Sequence, residues 1–135
     1  MSDALKPAAD LDLQPILMKL IVRDIEKVRT FYEEALGFEF LRHVDIGDRA
    51  VEDVLVVPGH KFQLILYAYK DGREISVSNG HGPFGFITAD AAAAGDRIVA
   101  AGGTISIGPL DFNGMTILFA KDPEGHELEF IQRNA

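Results

Sequence analysis

The sequence predicts an α+β fold made of two tandem β-α-β-β-β modules, and three features of the chain point that way. A pattern of strand, capping aspartate and helix occurs twice, 66 residues apart, at Asp24 and at Asp90. Within each copy the hydrophobic pattern passes from an extended, apolar run to a 3.6-residue stripe and back to extended runs. Glycine-rich punctuation closes the helix of each copy at matching points. Self-similarity at a fixed period signals two copies of one supersecondary unit, each too small to bury its apolar face alone. The seam between the copies is the expected binding place.

Residues 1–14 mix small and polar side chains without sustained period, contain Pro7, and are expected to form a loose leader. A single domain is expected over residues 15–134, with its modules at about 15–70 and 81–133. Residues 16–22 are apolar and rich in β-branched side chains, with Lys19 the one charged interruption, and predict a strand. Asp24 then sits where its carboxylate caps a helix, and Glu26 adds favourable charge to the first turn. Ile25, Val28, Tyr32, Ala35 and Leu36 form one apolar stripe, and Gly37 supplies a left-handed stop. Residues 38–46, 51–57 and 61–69 read as strands, separated in the last case by the Pro58-Gly59 turn and ended at Asp71-Gly72. Residues 71–82, with Gly72, Asn79, Gly80 and Gly82, read as a linker.

The second copy opens at Phe84, and Asp90 caps a helix with Ala91, Ala94, Ile98 and Ala101 on its apolar stripe. Gly95 inside that helix is expected to weaken it, and Gly102-Gly103 to end it. Residues 104–107, 115–120 and 127–131 repeat the three strands. Between the last two, Asp122-Pro123-Glu124-Gly125 has the Pro and Gly placement of a type I turn.

Composition narrows the function. A formal charge of −8 and a pI near 4.8 repel phosphate backbones and anionic membrane surfaces, so neither nucleic acid nor membrane is an expected partner. The chain has no cysteine, which excludes disulfides, a thiolate nucleophile and Cys-ligated zinc or iron–sulfur sites. The first 14 residues have neither a basic n-region nor a long apolar stretch, and a cytoplasmic location is expected. No phosphate-loop pattern, Ser-His-Asp or Cys-His arrangement is present, and the four histidines His43, His60, His81 and His126 are scattered. His60 and His126, each beside a turn, are expected to face solvent.

The segments Asp24-Ile25-Glu26, Phe31-Tyr32 and Ala35-Leu36-Gly37-Phe38, together with the run from Asp122 through Gly125, His126 and Glu129 to Phe130, resemble the vicinal oxygen chelate superfamily. That superfamily includes glyoxalase I, the bleomycin-resistance proteins and the extradiol dioxygenases. The resemblance covers residues 16–132. It implies a curved, half-open mixed sheet from the two modules, homodimers, and ligand pockets between modules. It also implies four inward positions that hold a divalent metal in enzymatic members, which fall here on Leu17, Gln63, Pro83 and Glu129. Only Glu129 is a strong ligand, and Leu17 and Pro83 have no side-chain donor, so a tightly bound metal is disfavoured and no cofactor is expected.

By strand alternation Gln63 shares a face with Ile65 and Tyr67, and Lys19 shares one with Leu17 and Ile21. The same alternation separates Glu127, Glu129 and Ile131 from Leu128 and Phe130, and the resemblance turns Glu129 inward. Phe84, Phe86, Phe112 and Phe119 are expected to supply apolar bulk in the second module, with Phe119 beside Glu129. The expected ligand-binding residues are therefore Lys19, Gln63, Tyr67, Phe119 and Glu129. Lys19 is expected to pair with Glu129, to bind an anionic ligand or to reach water. The preferred expectation is a homodimer that binds a small, aromatic or cationic molecule without a tightly held metal. The alternatives are a metal-dependent lyase, isomerase or dioxygenase using Glu129, Gln63 and His81, and a metal-free acid–base enzyme. In the latter Glu129 is the catalytic base and Lys19 or Tyr67 polarises the substrate.

Overall fold

Each half of the chain builds a four-stranded mixed sheet with one helix against it. The structure is a computed structural model describing residues 5–77 and 81–134. Residues 1–4 of the expected leader, and Asn79 and Gly80 of the expected linker, lie outside the described residues. After a short 3-10 turn at Ala8–Leu11, the first module runs β1 (Leu17–Ile21), α1 (Ile25–Leu36), β2 (Glu39–Ile46), β3 (Ala50–Val56) and β4 (Gln63–Tyr69). The second runs β5 (Phe84–Ile87), α2 (Ala91–Ala100), β6 (Thr104–Phe112), β7 (Met115–Lys121) and β8 (Glu127–Arg133). Strand order is β1-β4-β3-β2 in one sheet and β5-β8-β7-β6 in the other. In each, the first and last strands of the module pair in parallel and the rest antiparallel. No helix of the described residues is long and apolar enough to cross a membrane.

Local chemistry accounts for the boundaries. The Asp24 side chain accepts from Lys27 N–H at 3.1 Å, and the Asp90 side chain from Ala93 N–H at 3.0 Å, so both aspartates satisfy orphan amides as expected. Gly37 stops α1 with φ at 71°. β6 is longer than the sequence reading because it forms a hairpin with β7 through Asn113 and Gly114. Both residues have positive φ, as a type I′ turn requires. Asn-Gly between extended runs is the signal that would have extended the strand. β6 is also an edge strand, exposed along its length, which explains why Phe112 at its far end, expected in the apolar bulk, is 54% exposed.

One core joins the modules. Leu20, Val28, Phe31, Tyr32, Leu64 and Leu66 from the first pack with Ile98, Leu118, Leu128 and Phe130 from the second. Phe38 bridges the halves, meeting Tyr32 edge-on at 5.5 Å and Phe86 at 6.0 Å, while Phe86 stacks on Phe130 at 5.2 Å. Gly95 has a packing reason: a Cβ there would stand 2.8 Å from Leu118 Cδ2, so its bare backbone lets α2 settle on β7.

His126 does not face solvent as expected; it is 5% exposed. The turn from Asp122 to Gly125, closed by Gly125 N–H to Asp122 C=O at 3.0 Å, folds over the start of α1 and carries the imidazole inward. Its Nδ1 meets Asp122 Oδ2 at 2.8 Å and its Nε2 meets the Ile21 carbonyl oxygen at 2.9 Å. Asp122 Oδ2 also accepts from the Tyr32 hydroxyl at 2.9 Å. Glu124 accepts the backbone N–H groups of Arg23 and Asp24, both at 2.8 Å. The loop thereby clips the second module to the first.

Candidate functional site

In a strand, residues that face each other across a ladder point to the same side. Leu20, Leu64, Leu66 and Leu55 belong to the helix-covered core, so their neighbours in sequence occupy the other face of the first sheet. That face carries Leu17 opposite Gln63, Lys19 opposite Ile65 and Ile21 opposite Tyr67, with Val54 and Glu52 continuing it on β3. In the second sheet Leu128 and Phe130 are core, and the other face carries Glu129 opposite Phe119 and Gly85, with Ile131, Ile117, Ile107 and Ile87 around them.

The expected site residues thus form two groups. Lys19, Gln63 and Tyr67 lie on the uncovered face of the first sheet, and Phe119 and Glu129 on that of the second. Among the described residues, no strand of one sheet comes within 8 Å of a strand of the other between Cα atoms. Within the first group the Lys19 ammonium forms an ion pair with Glu52 and lies 5.3 Å from the centroid of the Tyr67 ring. Its acidic partner is Glu52 rather than Glu129, because β3 places Glu52 directly opposite Tyr67. Gln63 and Glu129 are half-buried, and among the described residues neither side chain has a hydrogen-bond partner in the protein. His81 is exposed and its Nδ1 meets the neighbouring Gly82 carbonyl oxygen at 3.1 Å.

Sequence reasoning missed two carboxylates in the middle of the first sheet. Glu52 is 7% exposed and Asp53 fully buried. Asp53 points to the helix side, where it accepts from Arg29 Nη1 at 2.7 Å and meets His43 Nδ1 at 2.6 Å. Two adjacent acids within the apolar run of residues 50–56 were the available signal: alternation sends them to opposite faces, so each needs its own cation.

Two cavities adjoin these groups. One, of about 400 Å³, is lined by Lys19, Ile21, Ile46, Arg49, Tyr67 and Tyr69. The other, of about 490 Å³, lies at the seam between modules under Phe38, Phe62, Phe84 and Phe86, with His60 at its rim. The four positions that the resemblance implies for a divalent metal do not fit one. Leu17 and Pro83 contribute no donor atom, Gln63 offers a neutral amide, and Glu129 alone offers a carboxylate, whereas such ions need several converging donors.

The comparisons with known proteins agree with this architecture. The family model of the Glyoxalase/Bleomycin resistance protein/Dioxygenase superfamily matches residues 13–130. The chain is 29% identical over 117 residues to a lactoylglutathione lyase of Arabidopsis thaliana, covering 83% of this chain and 41% of the relative. It is 29% identical over 121 residues to the lactoylglutathione lyase of Neisseria meningitidis, covering 86% of this chain and 88% of that one. Crystalline glyoxalase I from Zea mays superposes with a TM-score of 0.78 at 25% identity, over 90% of this chain and 45% of the maize chain. The chain therefore spans less than half the length of these two plant proteins and nearly the whole of the bacterial one. With its duplicated module, its strand order and this match over most of its length, the chain belongs to the Glyoxalase/Bleomycin resistance protein/Dioxygenase superfamily.

Proposed function

We propose that the protein is a homodimer that binds a small aromatic molecule on the uncovered faces of its sheets, without a tightly held metal. The single observation that carries this reading is the side-chain chemistry at Leu17, Gln63, Pro83 and Glu129, where one carboxylate and one amide replace a full ligand set. Such a lining suits an organic ligand held by a few directed polar contacts against apolar wall. Gln63 and Glu129, both without a protein partner among the described residues, supply those contacts, and Tyr67 and Phe119 supply aromatic surface. Separation of the two groups within one chain supports pairing with a second copy, which would set the first sheet of one chain against the second sheet of the other. The uncovered apolar side chains Ile87 and Ile107 would be buried by that pairing, an outcome favoured by about 25 cal/mol for each Å² removed from water.

The names of the lyase relatives favour a second reading, a glyoxalase-type lyase acting on lactoylglutathione. The donor set argues against its metal-dependent form, and a metal-free form would rest on Glu129 as base. One experiment separates the readings. Equilibrium dialysis of naphthalene carboxamide against the full chain, with and without EDTA, should give saturable binding that the chelator leaves unchanged, and sedimentation of the same sample should give twice the chain mass. Binding abolished by EDTA, or turnover of lactoylglutathione that metal restores, would replace the proposal with the metal-dependent lyase.

A further inference from the structure

We infer that the uncovered face of the first sheet binds a planar organic anion, with its carboxylate or enolate oxygen between Lys19 and Arg49 and its ring against Tyr67 and Tyr69. The inference rests on the small-molecule reading above and names the class of ligand. The cavity of about 400 Å³ bounded by these four residues with Ile21 and Ile46 is large enough for a one- or two-ring molecule.

The charges in this cavity are arranged to receive a negative group. Lys19 is held by Glu52, whose side chain is 9% exposed, while the lysine side chain remains 42% exposed. An ammonium has three donors, and Glu52 takes one, so the others open onto the cavity. Arg49 is anchored through its backbone: its N–H donates to the Ile46 carbonyl oxygen at 3.1 Å and its carbonyl accepts from Lys70 N–H at 3.0 Å. Its guanidinium has no carboxylate or hydrogen-bond partner among the described residues. Two cations thus stand at one cavity in a chain whose formal charge is −8; among the described residues no acid lines that cavity, and Glu52 is committed to Lys19.

The walls suit a flat ligand. Tyr67 and Tyr69 meet edge-to-face at 5.0 Å, and Ile21 and Ile46 complete an apolar surface beside them. Tyr69 is itself held in place by Arg73, whose guanidinium lies 3.7 Å from the ring centroid and is tied to Asp71. An ion pair open to water on one side, such as Lys19 with Glu52, is weak as a stability device, because solvent screens the attraction. What the pair does provide is a cation in a fixed place, two residues along β1 from Leu17, which has no donor. A ligand oxygen would find there the positive charge that the metal positions do not supply.

Three probes test the inference on the full chain: naphthalene carboxylate, naphthalene carboxamide and naphthylmethylammonium, matched in size and differing in charge. The carboxylate should bind roughly tenfold or more tighter than the carboxamide, with the ammonium weakest. Arg49→Gln, a change at an exposed rim position, should reduce that preference severalfold. Lys19→Met combined with Glu52→Gln, which removes the pair without stranding a charge, should bring it close to unity. The inference is overturned if carboxamide or ammonium binds as tightly as carboxylate, or if the preference survives both variants. Saturable carboxamide binding without anion preference would leave the small-molecule reading standing, whereas failure of all three probes to bind would remove both.

Discussion

Glu52 and Asp53 are neighbours in β3 and resolve their burial in opposite directions. Glu52 turns to the uncovered face and meets Lys19, while Asp53 turns to the helix side and meets Arg29 and His43. Asp53 is fully buried, yet Arg29 and His43 both retain contact with water, so they can be resolvated once the aspartate is gone. Asp53→Asn should therefore cost about 1–3 kcal/mol, the usual range for disrupting a buried hydrogen-bonded group. Urea unfolding would register this as a lower midpoint at unchanged slope. No loss of stability would mean that Arg29 and His43 find equal partners elsewhere. The same residues mark how far a sequence can be read at this scale. Alternation placed Gln63 with Ile65 and Tyr67, and Lys19 with Leu17 and Ile21, because a two-residue period is visible in a single strand. It could not pair Lys19 with Glu52, because that depends on the register between β1, β4 and β3, fixed by the packing of distant segments.

Helix α2 shows how propensity and packing compete within an element. Alanine is favoured over glycine in a helix interior by up to about 1 kcal/mol, so Gly95 looks like a weak point in sequence. The structure reverses the sign: the added methyl would lie 2.8 Å from Leu118 Cδ2 and 3.3 Å from Ile105 Cδ1, and Leu118 is 1% exposed with little room to turn. Overpacking typically costs about 1–3 kcal/mol, so Gly95→Ala should lower stability by roughly 1 kcal/mol net. Thermal unfolding of the variant would test this, and a raised midpoint would show that Leu118 moves aside freely. Both helices, both aspartate caps and the order of the strands were legible, since the 3.6-residue stripe and its caps are local signals. The extent of β6, read as residues 104–107, was less so. β6 ran on to Phe112 because its partner β7 continues past the Asn113-Gly114 turn, and an exposed edge strand has little hydrophobic alternation to reveal its length.

At the scale of the whole molecule, the two modules are joined by an apolar core, by Arg97 of α2 donating to the Ala35 and Glu34 carbonyl oxygens of α1 at 2.8 and 2.7 Å, and by the clip at His126, which gives the joint a pH dependence. His126 stands between the Asp122 carboxylate and the Ile21 carbonyl, both of which accept, so holding both contacts requires a proton on each ring nitrogen. Burial alone would lower the pKa of this imidazole, but the hydrogen bond and charge of Asp122, with help from the Ile21 carbonyl and Glu124, raise it above its usual value near 6.5. Tyr32, pushed well above its usual value by burial and by Asp122, remains a donor to Asp122 near neutrality. Arg23, Asp122 and Glu124 are the charged groups around the ring. A group whose pKa is raised on folding stabilises the native state fully below its unfolded value and loses that contribution as pH rises through its folded value. The stability lead of the native chain over His126→Asn, taken from urea midpoints at successive pH values, should therefore be greatest below about pH 6.5 and shrink above it. Comparing the two proteins at each pH cancels titrations common to both. A lead that stays flat or grows with pH would mean that His126 is neutral in the folded chain and that the joint is held by the apolar core and by the contacts of Glu124, Arg97 and Tyr32.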